Sequence, residues 1–517
     1  MNPGILLLPG YFYGTGNLLL RLLNRKRGAG FGESIAASLA LWSITGWLTP
    51  GFYRQTVLLL SFTGTLWLLY SILVKSEKKS RSAIPVLFFL LSILLRYIPT
   101  IPFTYPYGRD FIMHTYSTAT ITIHNGFSSQ YYPFGIEGFG AFNIGFHFIS
   151  AGLSFLSGLT PMDSTVATVY IFWGLLFWAL YRWTGNPAVS LLTTLLLPYP
   201  MTYLRWGGFP TVAAISMGLL AYRKPMRESA LYWTGAFSIH FIPTMIPFLV
   251  YLVQHRKEWK RLLYFTPMLL LLPQYFLILK YSLSMSPSEM KTLDSFVIST
   301  FPKSAVIVAL ILFLSIEGYR YRKNCSIPVW GIALSIAAGL ISYLAARSHI
   351  PINFPKSMYL SRMILLMLPP AAMGIHYLIS RFRFLIPGLV PLSLLFMVAI
   401  HSRVALNPGD MEVLKAQKGK EGWFLTLYES EGAYLPALGV PAWASHYIIS
   451  QLDEFKDAAF RAGFTHVVCD SDIKTSSIDY YNEVCGAGLT HPDVESIEGK
   501  GRTITIYRLK KRVHLRN

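Results

Sequence analysis

Apolar runs of spanning or near-spanning length recur through the first four hundred positions. They lie near 5–20, 33–49, 55–74, 82–99, 166–181, 187–203, 209–222, 262–280, 303–319, 328–346, 358–379 and 384–401. Short polar, often basic, stretches separate them. The stretch 226–254 has basic clusters at both ends, RKPMR (223–227) and HRKEWKR (255–261), so its ends belong on one side. That demands a hairpin of two short spans with its turn near His240 and Pro243. The run 141–158 is also apolar, but parity between the loop before residue 140 and Arg182 allows only one crossing. The pattern assigns that crossing to 166–181 and reads 141–158 as a helix lying on or dipping into the outer leaflet. The N-terminal MNPGILLLPGYFYG has neither a basic n-region nor a small-residue cleavage site, so the first run is read as a retained span.

Beyond residue 401 the pattern changes. GWFLTLY (422–428), THVVCD (465–470) and RTITIYRL (502–509) alternate as strands do, and QLDEFKDAAFRAG (451–463) reads as a helix ended by glycine. Composition sharpens the division: residues 1–401 hold 10 of the 25 acids and the remainder holds 15. The predicted architecture is mainly α, a polytopic transmembrane bundle of about 13–14 spans followed by a small C-terminal extracytoplasmic α/β domain. Its parts are 1–81 (additional helices), 82–401 (the main bundle, with an outer loop at 100–140) and 402–517 (the soluble domain).

The net charge of +20 is distributed as topology signals, not as a nucleic-acid face. With RLLNRKR (21–27), KSEKKSR (75–81), Arg182, 223–227, 255–261, RYRK (320–323) and RFR (381–383) placed inside, 21 basic residues are cytoplasmic. Ten then fall in outer loops and 14 in the tail. The same placement makes 100–140, 281–302 and everything after 401 external. Three cysteines occur without metal-binding spacing; Cys469 and Cys485 in the tail are either a disulfide or two buried thiols.

Candidate chemistry gathers in the first outer loop, YPYGRDFIMHTYSTATITIHNGFSSQYYPFGIEGFG (105–140). Asp110 and His114 are spaced i, i+4 and share a face if the segment is helical. A carboxylate there suits a general base, or a ligand for a divalent cation such as Mg or Mn held against phosphate oxygens. The plainer reading is that Asp110 pairs with Arg109 or caps a helix beginning at Phe111. Glu137 is a second acid or a solvated turn residue, and His147 a satisfied core histidine. Arg205, His240, Arg347, Lys356 and Arg362 stand at outer ends of later spans, against the inward bias of positive charge. They call for lipid headgroups or a bound phosphate, most of all Arg362, about one turn inside an apolar run.

The order of these features resembles the GT-C membrane glycosyltransferases, more narrowly prokaryotic, often archaeal, members with a C-terminal extracytoplasmic domain. It runs from Asp110 in a long first loop and YYPFG at its end, through GLTPMDSTVATVY to YRWTGNPA and the WGGFP turn. A His-bearing hairpin and an arginine heading a late span complete it. The resemblance implies a plasma-membrane enzyme that moves a sugar from a polyprenyl phosphate, dolichyl phosphate in archaea, to a lipid, glycan or protein acceptor outside. The base or metal-ligand role then falls on Asp110, with His114 and Glu137 beside it, and the donor phosphate on Arg362, Lys356, Arg205, His240 and Arg347. Phe111 follows Asp110 where protein mannosyltransferases carry a second acid. No WWDYG occurs, which argues against en bloc glycan transfer. The rival classes are a transporter or flippase without chemistry, for which no convincing inverted repeat is visible, and a structural subunit whose tail binds a partner.

Overall fold

The computed structural model describes residues 2–23, 30–74, 83–98, 109–131, 136–137, 143–196, 208–283, 287–321, 327–350, 362, 364–382, 407–427, 438–445, 459–473 and 478–515, with isolated positions between 384 and 395 and at 432 and 435. The first membrane helix runs from Pro3 through a 3₁₀ turn and a π-turn into α1 (Thr15–Leu23). There follow α2 (Phe31–Leu48), α3 (Tyr53–Val74), α4 (Ile84–Tyr97), α5 (Arg109–His124), α6 (Gly145–Ser157), α7 (Pro161–Thr184) and α8 (Pro187–Leu196). Next come α9 (Phe209–Tyr222), α10 (Met226–Ile239) and α11 (Phe241–Gln254). After a 3₁₀ segment at Arg256–Leu271 come α12 (Leu272–Leu283), α13 (Pro287–Tyr321), α14 (Val329–Arg347) and α15 (Leu368–Arg381).

Six of the described helical segments are long and apolar enough to cross a membrane. On the outside of the bundle Leu73, Phe276 and Val306 are each at least 70% exposed. Apolar surface of that extent is stable against acyl chains and not against water, so the chain is a multi-pass membrane protein. The other predicted spans fall below that length or hydropathy or lie partly outside the described residues, and several of the described helices are short.

Two places with short helices matter for function. The 226–254 stretch is the expected hairpin: α10 and α11 have 14 residues each, about 21 Å at 1.5 Å per residue, and break at His240 in extended backbone. Their far ends meet, Tyr222 Oη donating to Gln254 Oε1 at 2.6 Å. The second is α6, within the stretch read from the sequence as a helix lying on or dipping into the outer leaflet without crossing. Phe146, Phe148, Ile149 and Ala151 are wholly buried among α2, α5 and α7. At 13 residues it is too short to span, and it runs from Ser238 near the hairpin tip to Gly4 and Asn2 at the N-terminus. The helix is internal because its stripe of Gly, Ala and Ser admits neighbours on every side. At Gly145 a Cβ would sit 2.3 Å from Ser238 Oγ.

Among the described residues, several of the basic clusters that the charge pattern placed together share one end of the bundle. Glu33, 2% exposed, holds Arg182 Nε at 2.9 Å and Lys224 Nζ at 3.6 Å, and accepts from Trp178 Nε1 at 2.8 Å. Tyr251 Oη reaches the Lys224 carbonyl, and Tyr321 packs on Tyr377, which brings 223–227, the end of α11, 320–321 and the end of α15 to that same side.

The C-terminal domain is a five-stranded mixed sheet in the order β4-β3-β5-β7-β6. Its strands are β3 (Trp423–Leu427), β4 (Ala442–Ser445), β5 (Phe464–Asp470), β6 (Val494–Lys500) and β7 (Ile504–Val513); β1 (Gln130–Tyr131) and β2 (Ile136–Glu137) form a separate ladder in the first loop. β3 lies parallel to β4 and β5, and β7 antiparallel to β5 and β6. Alternation sends Leu425, Val467 and Cys469 to one face, against α17 (Asp479–Ala487). Phe424, Val468 and Ile506 go to the other, packed with Met411 and Leu414 of α16 (Pro408–Lys415). Cys469 and Cys485 are disulfide-bonded, their Cα atoms 5.5 Å apart, so the strand and the helix are clamped through that first face. The helix expected at 451–463 is described only at 459–462. β6 was not expected, since VESIEGK buries little of either face and is paired only by β7.

Candidate functional site

At the end of the bundle away from Glu33, four polar side chains from separate elements converge. α5 is helical from Arg109, which puts Asp110 in the first turn, where a negative charge is favoured by the helix dipole, and His114 one turn later on the same face. The Asp110 side chain, on which the capping and Arg109-pairing alternatives turn, lies outside the described residues. His114 turns toward α6: its Nδ1 is 3.0 Å from His147 Nε2, with ring centroids 5.2 Å apart. His147 is the buried core histidine that the sequence suggested. It is 4% exposed and partnered by a second imidazole. Phe146 and Phe209 pack against His114 and close the pair in with apolar surface.

His240 sits at the break between α10 and α11, where its φ of −162° and ψ of 105° end one helix and start the next. Its side chain makes no cap to α11, and the positive end of that helix's dipole lies at the break. Arg362 Nη1 approaches His240 Nε2 at 3.5 Å, and His240 lies within electrostatic reach of both Arg362 and His114. His240 Nδ1 is buried without a hydrogen-bond partner. The result is a guanidinium, three imidazoles and a half-helix N-terminus, an arrangement built for an anion.

The other sequence candidates distribute differently. Glu137 belongs to the β1–β2 ladder, opposite Gln130, and not to an open turn; its side chain lies outside the described residues. Lys356 and Arg205 also lie outside them. Arg347 is exposed at the end of α14 and donates to Tyr343 Oη of its own helix at 3.1 Å. Among the described residues no group of three His, Cys, Asp or Glu side chains is placed to hold a metal ion.

One residue escaped the sequence reading. Arg96, in the last turn of α4, is 2% exposed; its guanidinium stacks over Trp173 at 3.8 Å and donates to the carbonyl of Thr194 near the C-terminus of α8. A charge in the run FFLLSILLRYIPT was the available signal, but as the last polar residue of a span it reads as a membrane-surface anchor. Its carbonyl and indole partners lie 98 and 77 positions away in sequence and become neighbours only through helix packing.

Comparison with known proteins adds resemblance of fold. No family model matches the chain, and no curated protein does. The structure is similar to that of the arabinofuranosyltransferase AftD from Mycobacteria, at 16% identity and a TM-score of 0.47. That match covers 84% of this chain but 40% of the other, so this chain spans less than half of the mycobacterial protein's length. ArnT from Cupriavidus metallidurans, solved with undecaprenyl phosphate bound, is similar at 11% identity and a TM-score of 0.42, over 83% of this chain and 98% of that one. The Archaeoglobus fulgidus oligosaccharyltransferase in its apo form is similar at 11% identity and a TM-score of 0.36, covering 79% and 72%.

Proposed function

We propose that the chain is a GT-C-type glycosyltransferase that moves a sugar from a polyprenyl phosphate, such as dolichyl phosphate, to an acceptor outside the cytoplasm. The observation that carries this reading is Arg362 against His240 at the tip of two half-length helices, with the His114–His147 pair beside them. A lipid-linked phosphate presents an anion at membrane depth while its chain stays among acyl tails. Arg362, His240 and the N-terminal end of α11 offer that anion a charged fork, a donor ring and a dipole. Asp110, one helical turn before His114, takes the proton of the attacking acceptor hydroxyl, and the phosphate leaves toward the cations. The divalent-cation role for Asp110 and phosphate contacts from Lys356, Arg205 and Arg347 belong to the same proposal.

Donor binding to the purified full chain tests this. Arg362→Ala should nearly abolish binding of a polyprenyl-phosphate sugar and Arg362→Lys should weaken it, because an ammonium cannot bond two phosphate oxygens as a guanidinium does. Unchanged affinity in Arg362→Ala rejects the site. Half-length helices meeting inside a membrane also serve transporters. A reconstituted protein that carries the lipid-linked sugar across vesicles and yields no glycosylated product would favour that second reading.

The same proposal puts the sheet domain outside the cytoplasm, supported by the inward placement of the 21 basic residues and by the Cys469–Cys485 disulfide, a bond that persists in oxidising surroundings. After mild reduction of intact cells, a membrane-impermeant thiol reagent should label Cys469 or Cys485. Labelling confined to Cys325 would invert the topology.

A further inference from the structure

We propose that the His114–His147 pair takes up one proton when a lipid phosphomonoester occupies the anion site, so that the site favours the departing phosphate over the phosphodiester donor. This rests on the phosphate-binding reading above. The geometry sets the capacity. A contact of 3.0 Å between two ring nitrogens holds a single bridging hydrogen, and one further proton on an outer nitrogen makes the pair an imidazolium stabilised by its neighbour. A second would set two like charges at hydrogen-bond distance. His147 is buried between Phe146 and the α5 helix, so charging the pair with the site empty is costly, and the proton arrives with the anion.

Charge bookkeeping gives the pair its task. A sugar phosphodiester carries one negative charge, which Arg362 balances. In the transfer a bond forms between the acceptor oxygen and the anomeric carbon. The bond from that carbon to the phosphate oxygen breaks with its electron pair on oxygen, and the acceptor loses its hydroxyl proton. The products are the glycoside, a lipid phosphate with two negative charges and one proton. Asp110, four residues before His114, receives that proton first; resting on the imidazole pair, it matches the second charge. Asp110 precedes His114 by one turn of the same helix, the apolar Phe209 of α9 packs on His114, and His240, with Arg362 beside it, lies within electrostatic reach of His114.

Calorimetry on the purified full chain tests this with farnesyl phosphate as monoester and methyl farnesyl phosphate as diester. Each is titrated at pH 8 in two buffers of different ionisation enthalpy. At that pH a phosphomonoester, with a second pKa of about 6, is nearly all dianion. The monoester should bind with uptake of nearly one proton, and its affinity should rise about tenfold per unit fall in pH above the pair's own titration. The diester should bind with little uptake. His147→Gln and, separately, His114→Gln should still bind the monoester but lose the uptake. Binding without uptake in the wild type, or uptake that survives in both variants, overturns the inference and leaves the phosphate site standing. Failure to bind either ligand overturns the phosphate reading and the inference with it.

Discussion

Asp110→Asn is expected to lower sugar transfer by about 10²- to 10⁴-fold, the contribution of a positioned general base, while donor binding persists. The residue opens α5, and the i, i+4 relation that puts it on the His114 face is realised in the structure. An amide keeps the size and hydrogen-bonding capacity of the carboxylate but cannot take a proton at neutral pH. The loss should therefore appear in kcat, with KM for the donor little changed. Glu137→Gln should cost far less, since Glu137 sits in the β1–β2 ladder and not on the helix that carries His114. If Asp110→Asn retains turnover while Glu137→Gln abolishes it, the assignment of the base within this loop is wrong.

Removing Glu33 should be the most damaging single change to stability. Its buried carboxylate joins Arg182 and Lys224, and the second of these also reaches Glu228 at 3.4 Å. Without it, Lys224 loses one of its two carboxylates and Arg182 loses its anion. Trp178 Nε1 loses its acceptor inside the bundle. Breaking a buried ion pair from one side costs about 3–5 kcal/mol. Arg182 is half exposed, so solvent screens its share and the lower end, about 3 kcal/mol, is expected for Glu33→Ala. Glu258→Ala, which removes an exposed partner of Arg261, should cost less than about 0.5 kcal/mol. Thermal unfolding of the detergent-solubilised protein reads both, and a Glu33→Ala melting curve superimposable on that of Glu258→Ala would refute the role given to this cluster.

Much of this organisation was legible in one dimension. Apolar runs and the separation of basic clusters depend only on composition within a window. They yielded the helical bundle, the soluble tail with three of its strands, and the hairpin whose turn was placed at His240 and forms there. The grouping of cations at one end followed from the same signal, and Glu33, Arg182 and Lys224 meet as it requires. The candidates were readable where polarity is out of place in an apolar run, as with Arg362 and His240. For Lys356 and Arg205 that reading lies outside the described residues.

What remained hidden were relations between distant positions. His147 looked like a core residue because its partner His114 is 33 positions away, on another helix, and a pairwise contact leaves no periodic trace. Arg96 was passed over because Trp173 and Thr194 reach it only when α4, α7 and α8 pack. The helix at 145–157 was read as lying on or dipping into the outer leaflet, and its burial among other helices stayed hidden because hydropathy cannot tell burial in lipid from burial in protein. That choice is made by shape, through the small residues that let neighbouring helices close around it. By itself the sequence determined which segments leave water and which end of each carries positive charge, since both follow from transfer free energies summed along the chain. Only the tertiary structure decided which helices stop halfway and which rings and guanidinium meet there, because those contacts depend on packing across elements far apart in sequence.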